Sequence, residues 1–583
     1  MAYANLNQLW AHALVAELQA GGISGAVICP GSRSAPLALA CAGQTGLKTW
    51  SVLDERSAAF FALGMAKQSG SPAVVLASSG TAAANFLPAV VEAAMAHVPL
   101  IAITADRPVE LHGWGALQTI PQQNLYGQFP RWSVDLGLPE ASPAALAHLR
   151  ATAARAVATA RRSPRGPVHL NAPFREPLAP TPVASPVPLE NLDAIMAMPA
   201  KRFIPPLQEP RPEALDALRR RLEVTPRGVI VCGPRDLDEG LRGAVIALGR
   251  GLAYPVLAEA TSQVRFGANG AEVLTHYDLF LRHGAFAAAH RPQIVLRFGG
   301  PLISKVLQAW LDESGGEIVS FVDEGSPIDP AHSAATFIEG SPVAACDRLS
   351  IARVKNGFEW PRSFQAAEKR VRAALEDAFA TDQALTEPRA CREVIAAAPP
   401  GGTLFVSSSM PIRDVDAFGS ASTIPIRMLA NRGTNGIDGT LSTALGVAAS
   451  SSRPTLLLTG DLALIHDLGG LLTAARHKLS LTIVVINNNG GGIFSFLPIA
   501  GFREHFEALF ATPHDLQLSR LAELFGARYC APTTASELRA LLKTCIEGGL
   551  HLLEVRTDRE DNQAQHRALY ELACESLGSG PWA

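Results

Sequence analysis

The stretch whose reading decides the fold is VVINNNGGGIF, Val484–Phe494. A β-branched run, Val484 to Ile486, delivers three asparagines and then three glycines. Such a run reads as a buried strand. Packing gives no reason for a strand to end in carboxamides beside bare backbone. Upstream, LLLTGDLAL places Asp461 at the end of another apolar run. Between Asp461 and Asn488 there is room for one helix, Leu462–His477, and a return strand. Adjacent parallel strands would then bring both side chains to one sheet edge, and ligands of such sheets bind at the carboxyl ends of the strands. An aspartate, an asparagine carbonyl and a free backbone carbonyl are hard oxygen ligands suited to Mg²⁺, which keeps positions for phosphate oxygens and water. The glycines admit a polyanion close to the backbone. Taken singly, Gly-Asp makes a turn and Asn-Gly closes a hairpin. Together, each ending an apolar strand, they point to half of a metal–diphosphate clamp.

Working outward, AVVLAS, PLIAIT, GVIVCGP, QIVLRFG, TLLLTG and LTIVVIN are short apolar runs separated by helical stretches. That alternation predicts an α/β protein of doubly wound parallel sheets with helices on both faces. A proline-rich linker, Arg175–Glu190, and a break before a charged helix at Phe364–Phe379 divide the chain into 1–180, 190–350 and 375–583. The first and third segments look duplicated. ALGMA at Ala62–Ala66 returns as ALGVA at Ala444–Ala448, and LASS at Leu76–Ser79 returns as LTGD at Leu458–Asp461 at the same offset. By that offset Glu55 corresponds to Ile437.

Bulk properties exclude several classes. A chain of 583 residues is long enough for about three or four domains. Its net charge of −3 argues against a nucleic-acid-binding surface. The most apolar region, Ala82–Thr104, is broken by Asn85, Pro88, Glu92 and Pro99 and is not a membrane span. Eight cysteines occur singly, with no CxxC pair, and the first residues form an amphipathic helix rather than a signal peptide. These features predict a cytoplasmic protein. His276, His283 and His290 recur every seven residues, a spacing that reads as one helix face rather than a metal site.

GDLALIHDLGGLLTAARHKLSLTIVVINNNGG resembles the GD…NN signature of the thiamine-diphosphate-dependent enzymes. The resemblance implies the thiamine-diphosphate-binding fold in the first and third segments and a Rossmann-like middle domain. It assigns the Mg²⁺ ligands to Asp461, Asn488 and the carbonyl of Gly490, with Mn²⁺ as a substitute. Gly460, Leu462 and Ile493 would also border the cofactor. Members of the family activate the cofactor with a glutamate bonded to N1′ of its aminopyrimidine, supplied across a subunit interface. Glu55, in VLDERSAAFFALGMAKQSG, fits that role, and Ile437 fits the apolar wedge that bends the cofactor. At a helix start Glu55 is otherwise an ordinary favourable helix-dipole residue.

Within the family, VICPGSRSAPL, LDERSAAFFALGMAK, TADRP and NRGTNGIDG are similar to the branch that decarboxylates 2-oxoglutarate and adds the succinyl unit to isochorismate. Both substrates are dianions, which calls for guanidinium or ammonium groups at the site. The resemblance places Ser409 and Arg413 on the succinyl carboxylate. It places Ser32, Arg33, Arg107, Gln118 and Lys305 on isochorismate, and Arg432 between cofactor and acceptor. Leu117 and Val306 stand where some members have asparagine and arginine. No His-His pair is present to protonate a carbanion, which suits capture by a carbon electrophile. The middle segment lacks GxGxxG after a strand, so no nucleotide is expected there. A homodimer or dimer of dimers is implied. The rival readings are an acetolactate-synthase-like carboligase and a catalytically silent thiamine-diphosphate-binding sensor or scaffold.

Overall fold

The computed structural model describes residues 3–183, 193–206, 208–268, 272–322, 327–352, 359–381 and 384–578. Part of the proline-rich linker (184–190) and part of the second junction (353–358) lie outside the described residues. Three six-stranded sheets follow one another along the chain, and each is parallel throughout. Across the first sheet the strands run Lys48–Ser51, Gly25–Ile28, Ala73–Ala77, Leu100–Asp106, Pro167–Pro173 and Trp132–Asp135. Across the third they run Arg427–Leu429, Thr403–Val406, Thr455–Gly460, Leu481–Asn487, Leu550–Arg556 and Arg528–Cys530. Both sheets therefore have the chain order 2-1-3-4-6-5, so the duplication read from two short motifs holds for the whole topology. The middle sheet, Gly228–Glu339, runs 6-5-4-1-2-3, the order of doubly wound dinucleotide folds.

All six apolar runs named above form strands, and their residues are buried because helices cover both faces. The charged helix extends further than expected, over Glu359–Thr381. It buries Trp360, Phe364 and Val371 against the middle sheet.

The first and third units meet through equivalent helices, Glu55–Ser69 and Thr440–Ser450. Asp54 caps the first by accepting the Ser57 N–H at 2.8 Å, and left-handed Gly70 ends it. The repeated ALG motif now has a physical meaning. A Cβ on Gly64 would sit 2.0 Å from the Thr443 carbonyl oxygen, and one on Gly446 would sit 1.9 Å from that of Phe61. Each copy's glycine is the gap into which the other helix's backbone fits.

Two expectations are corrected. The single helix expected over Leu462–His477 is two helices, Asp461–His466 and Gly469–His477. The break is held by Asp467, whose buried carboxylate accepts the Ser442 N–H (2.6 Å), the Ser442 hydroxyl (2.8 Å) and the Ser57 hydroxyl (3.1 Å). The three histidines do not share a helix face. His276 precedes the helix Tyr277–Phe280, His283 caps Gly284–Ala289 by accepting the Phe286 N–H, and His290 ends that helix. Among the described residues no metal-ligating cluster of His, Cys, Asp and Glu occurs.

The close helix crossing makes an overpacking prediction. Gly446→Ala should destabilise the chain by about 3 kcal/mol, read as a fall in the urea midpoint. Gly243→Ala is the control, because nothing lies within 4 Å of a Cβ there; it should be neutral or stabilising by up to about 1 kcal/mol. A second prediction concerns acid. Burial opposes the charge of Glu368, but His276 and Arg372 hold it down at about 2. The folded value is below the ordinary 4.5, so the carboxylate stabilises above that pH and the contribution fades as pH falls towards 2. Glu368→Gln should be less stable at neutral pH and flatten the acid limb of the stability profile in that window. An acid limb identical to wild type would contradict the assignment.

Candidate functional site

In the third sheet the strand order reverses between Thr403–Val406 and Thr455–Gly460, and ligands of open α/β sheets bind outside such a point. A cavity of about 310 Å³ opens there. Its walls include Ser409 and Arg413 from one strand end, Asp461 from the other, and Asn488 and Gly490 from the next strand. Gly460, Leu462, Ile493, Arg432 and Ile437 complete the sequence-predicted residues that line it.

The three asparagines divide their work. Asn487 donates to Glu554 on the neighbouring strand. Asn489, at φ 56°, turns the chain and accepts the N–H groups of His514 and Asp515, both at 3.0 Å. Asn488 alone serves the cavity. Its Nδ2 donates to Glu387 at 2.9 Å, while its Oδ1 is buried with no partner among the described residues. Gly490 follows at φ 142°, where a Cβ would lie 2.2 Å from the Ala511 carbonyl oxygen. Its N–H reaches Asp461 Oδ2 at 2.9 Å.

Burial raises the pKa of Asp461, opposed by hydrogen bonds from Gly490 and Leu462 and by His514, whose Nε2 lies 3.2 Å from Oδ2. Burial lowers the pKa of Arg413, which lines the same cavity, and the neighbouring Arg432 lowers it further. Arg432 is likewise depressed by burial, and its Nε has no partner among the described residues. Two desolvated guanidiniums lining one cavity call for an anion. A carboxylate with an unpartnered amide oxygen beside it calls for a hard cation. The cavity therefore has the donor set for a divalent metal and an anionic ligand together.

The other predicted residues lie elsewhere. Glu55 starts its helix at the carboxyl edge of the first sheet, where its charge contributes to raising the thiol pKa of Cys29, second to burial. Arg33 bonds the Phe174 carbonyl at 2.9 Å and pairs with Glu176 at 3.2 Å. Burial lowers its pKa, and Arg107 is the next cause. Gln118 donates to the Ser79 carbonyl at 3.1 Å, and Ser32 is exposed. None of Glu55, Ser32, Arg33, Arg107 and Gln118 lines the Asp461 cavity. Lys305 begins the helix Lys305–Glu313 of the middle unit, exposed, and is not among the lining residues either. Within one chain the candidates thus divide between the Asp461 cavity and positions outside it.

Four residues escaped the sequence reading. His514 touches Asp461, and Arg559 donates to the carbonyls of Asn488 (3.1 Å) and Asn489. Glu387 is fully buried beside Asn488. Burial and then the Asp414 carboxylate push it up to about 7, while its bond from Asn488 and the nearby His566 pull the other way. Burial alone would lower His566, but Asp414, bonded to its Nε2 at 2.8 Å, carries it above its ordinary value. Glu92 registers in the sequence only as an interruption of an apolar stretch. In the fold its carboxylate accepts the N–H groups of Gly433 (2.8 Å) and Thr434 (2.7 Å) and the Thr434 hydroxyl (2.8 Å). It anchors, from the first unit, the loop that carries Arg432 and Ile437.

Comparison with known proteins agrees with this architecture. Residues 10–125 match the family described as thiamine pyrophosphate enzyme, N-terminal TPP binding domain. Residues 209–406 match the middle domain of thiamine pyrophosphate enzymes, and 419–555 the C-terminal TPP binding domain. The chain is 58% identical to the 2-succinyl-5-enolpyruvyl-6-hydroxy-3-cyclohexene-1-carboxylate synthase of Myxococcus xanthus, over 100% of this chain and 99% of that one. It is 45% identical to the synthase of the same name from Geobacillus kaustophilus, over 96% and 97% of the two chains. The Chloroflexus aurantiacus synthase is 43% identical over 97% of this chain and 96% of its own.

Glu92→Ala would strip three donors of their acceptor. It should cost about 2 to 3 kcal/mol of stability. It should also loosen the Arg432–Ile437 loop, read as faster amide hydrogen exchange at Gly433 and Thr434 than at the neighbouring helix Thr440–Ser450. Equal exchange in both segments would show that Glu92 does not hold the loop.

Proposed function

The chain belongs to the 2-succinyl-5-enolpyruvyl-6-hydroxy-3-cyclohexene-1-carboxylate synthase family of thiamine-diphosphate enzymes, and we propose that it catalyses that family's reaction. In it, 2-oxoglutarate loses its C1 carboxylate as CO₂, and the remaining succinyl unit forms a carbon–carbon bond to isochorismate by 1,4-addition. The step belongs to menaquinone or phylloquinone biosynthesis. The observation that carries this reading is the make-up of the third-sheet cavity, which is lined both by hard-oxygen residues and by two desolvated guanidiniums. A donor without a distal carboxylate, such as pyruvate, would leave Arg413 uncompensated, which counts against the acetolactate-type alternative.

In this proposal Asp461, Asn488 and the Gly490 carbonyl hold Mg²⁺ (Mn²⁺ substitutes), and through it the diphosphate. Gly460, Leu462, Ile493 and Ile437 pack about the cofactor. When bound, thiamine diphosphate would supply the electron sink for decarboxylation and carbon–carbon bond formation. Ser409 and Arg413 orient the succinyl carboxylate by charge-assisted hydrogen bonds. Arg432 bridges towards the acceptor, which Ser32, Arg33, Arg107, Gln118 and Lys305 hold by its carboxylates. Glu55 holds a proton at N1′ of the aminopyrimidine. Because the candidates are divided in this way within one chain, a second copy completes each cavity, and the working unit is at least a homodimer. All eight cysteines are unpaired, which suits a reducing cytoplasm. No helix among the described residues is long and apolar enough to cross a membrane.

The test follows isochorismate by absorbance with thiamine diphosphate and Mg²⁺, supplying 2-oxoglutarate or pyruvate. Consumption is expected only with 2-oxoglutarate. Glu55→Gln should lower kcat by about 10²-fold or more while thiamine diphosphate still binds. Arg413→Ala should raise KM for 2-oxoglutarate by about tenfold or more, the loss of one charged hydrogen bond. Consumption with pyruvate alone, or a fully active Glu55→Gln, would overturn the proposal.

A further inference from the structure

Glu387 stands at the first position of the helix Glu387–Ala397, just after its cap Thr386, and is 1% exposed. A carboxylate there suits the helix dipole, but its bonds are not made to the helix. Its Oε1 accepts Asn488 Nδ2 at 2.9 Å and the Thr557 hydroxyl at 3.0 Å. An oxygen already accepting from Thr557 meets the NH₂ end of the Asn488 amide and not its carbonyl. Turning the amide over would set two acceptors against each other in a buried site. From the other side, a Cβ at Gly492 would lie 2.6 Å from the same Nδ2, so the amide is confined on both flanks. The consequence is seen at the far end of the carboxamide. Oδ1 is buried and has no hydrogen-bond partner among the described residues, and Asn488 is one of the residues that line the Asp461 cavity.

We propose that Glu387 is a positioning residue that locks the Asn488 carboxamide with Oδ1 presented to the cation, and thereby sets the chain's affinity for a divalent metal. This rests on the metal reading of Asp461, Asn488 and Gly490 given above. Free asparagine at a cavity wall samples both amide orientations, and only one offers an oxygen. Glu387 removes the wrong one before the metal arrives. Thr557, on the far side, keeps the Glu387 oxygen aimed. Outer partners of this kind typically change metal affinity by about 10–100-fold when removed.

The experiment titrates Mn²⁺ into the full-length protein with thiamine diphosphate present, counting free Mn²⁺ by electron paramagnetic resonance. Wild type, Glu387→Leu, Glu387→Gln, Thr557→Val and Asp461→Ala are compared, with circular dichroism as the folding control. Glu387→Leu should weaken Mn²⁺ binding by about 10–100-fold. Glu387→Gln, whose carbonyl can still accept the amide, should stay within a few-fold of wild type. Thr557→Val should fall between the two. Folded Glu387→Leu with wild-type affinity overturns the inference, as does equal loss in the Leu and Gln variants. If Glu387→Leu does not fold, unchanged Mn²⁺ affinity in Thr557→Val overturns it. Wild type that binds no Mn²⁺, or Asp461→Ala that binds as well as wild type, instead removes the metal reading itself.

Discussion

Everything in this molecule hangs on one backbone contact, the crossing of Glu55–Ser69 over Thr440–Ser450 at Gly64 and Gly446. Two helices can approach this closely only where neither has a side chain, and the duplicated ALG motif removes it from both. The crossing joins the first and third units into one apolar core running from Val27 and Phe61 to Leu445 and Val485. The middle unit is tied in at its rim. Lys67, buried, reaches Asp236 of the middle unit at 3.0 Å and the Ala430 carbonyl of the third at 3.1 Å. Arg427 answers from the third unit, donating to the Gln68 carbonyl at 2.7 Å and that of Asp236 at 2.8 Å. Three domains so joined present their sheet edges in a fixed relation.

What that rigidity supports is a store of desolvated charge. Burying Asp461, Arg413 and Arg432 without an ion or substrate costs free energy, visible in the direction of each pKa shift. The surrounding bonds are arranged to offset part of it. Gly490, Leu462 and His514 face Asp461, and Asp414 and Glu259 stand nearest the arginines as counter-charges. A metal and an anion would complete the cavity, and the scaffold bears the cost of keeping it ready.

Much of this was legible in the sequence, for a definable reason. Parallel strands buried on both faces are continuous apolar runs, so all six named runs became strands, and a repeat survives as similar motifs at one offset. The third-sheet residues were legible because they sit at strand ends, close in sequence to the strands that place them. What was not legible depends on partners far along the chain. Glu92 and Thr434 are 342 positions apart, and Glu387 and Asn488 are 101 apart. Nothing local marks such a glutamate as different from a surface one. The helix break at Asp467 failed for the same reason, since its cause lies on Ser57 and Ser442. In the NNN run the sequence singled out Asn488, the one of the three that lines the cavity, but not the partners that occupy Asn487 and Asn489.

The duplication does not make the two units equal. The shared offset pairs Glu55 with Ile437, but Glu55 opens its helix while Ile437 lies in the loop before Thr440–Ser450. One is a carboxyl group and the other a hydrocarbon. The first unit carries Glu55, Arg33 and Arg107 outside the Asp461 cavity, and the third carries Asp461, Asn488, Arg413 and Arg432 along it. A chain that commits its own two units to the Gly64–Gly446 crossing has turned one pairing surface inward.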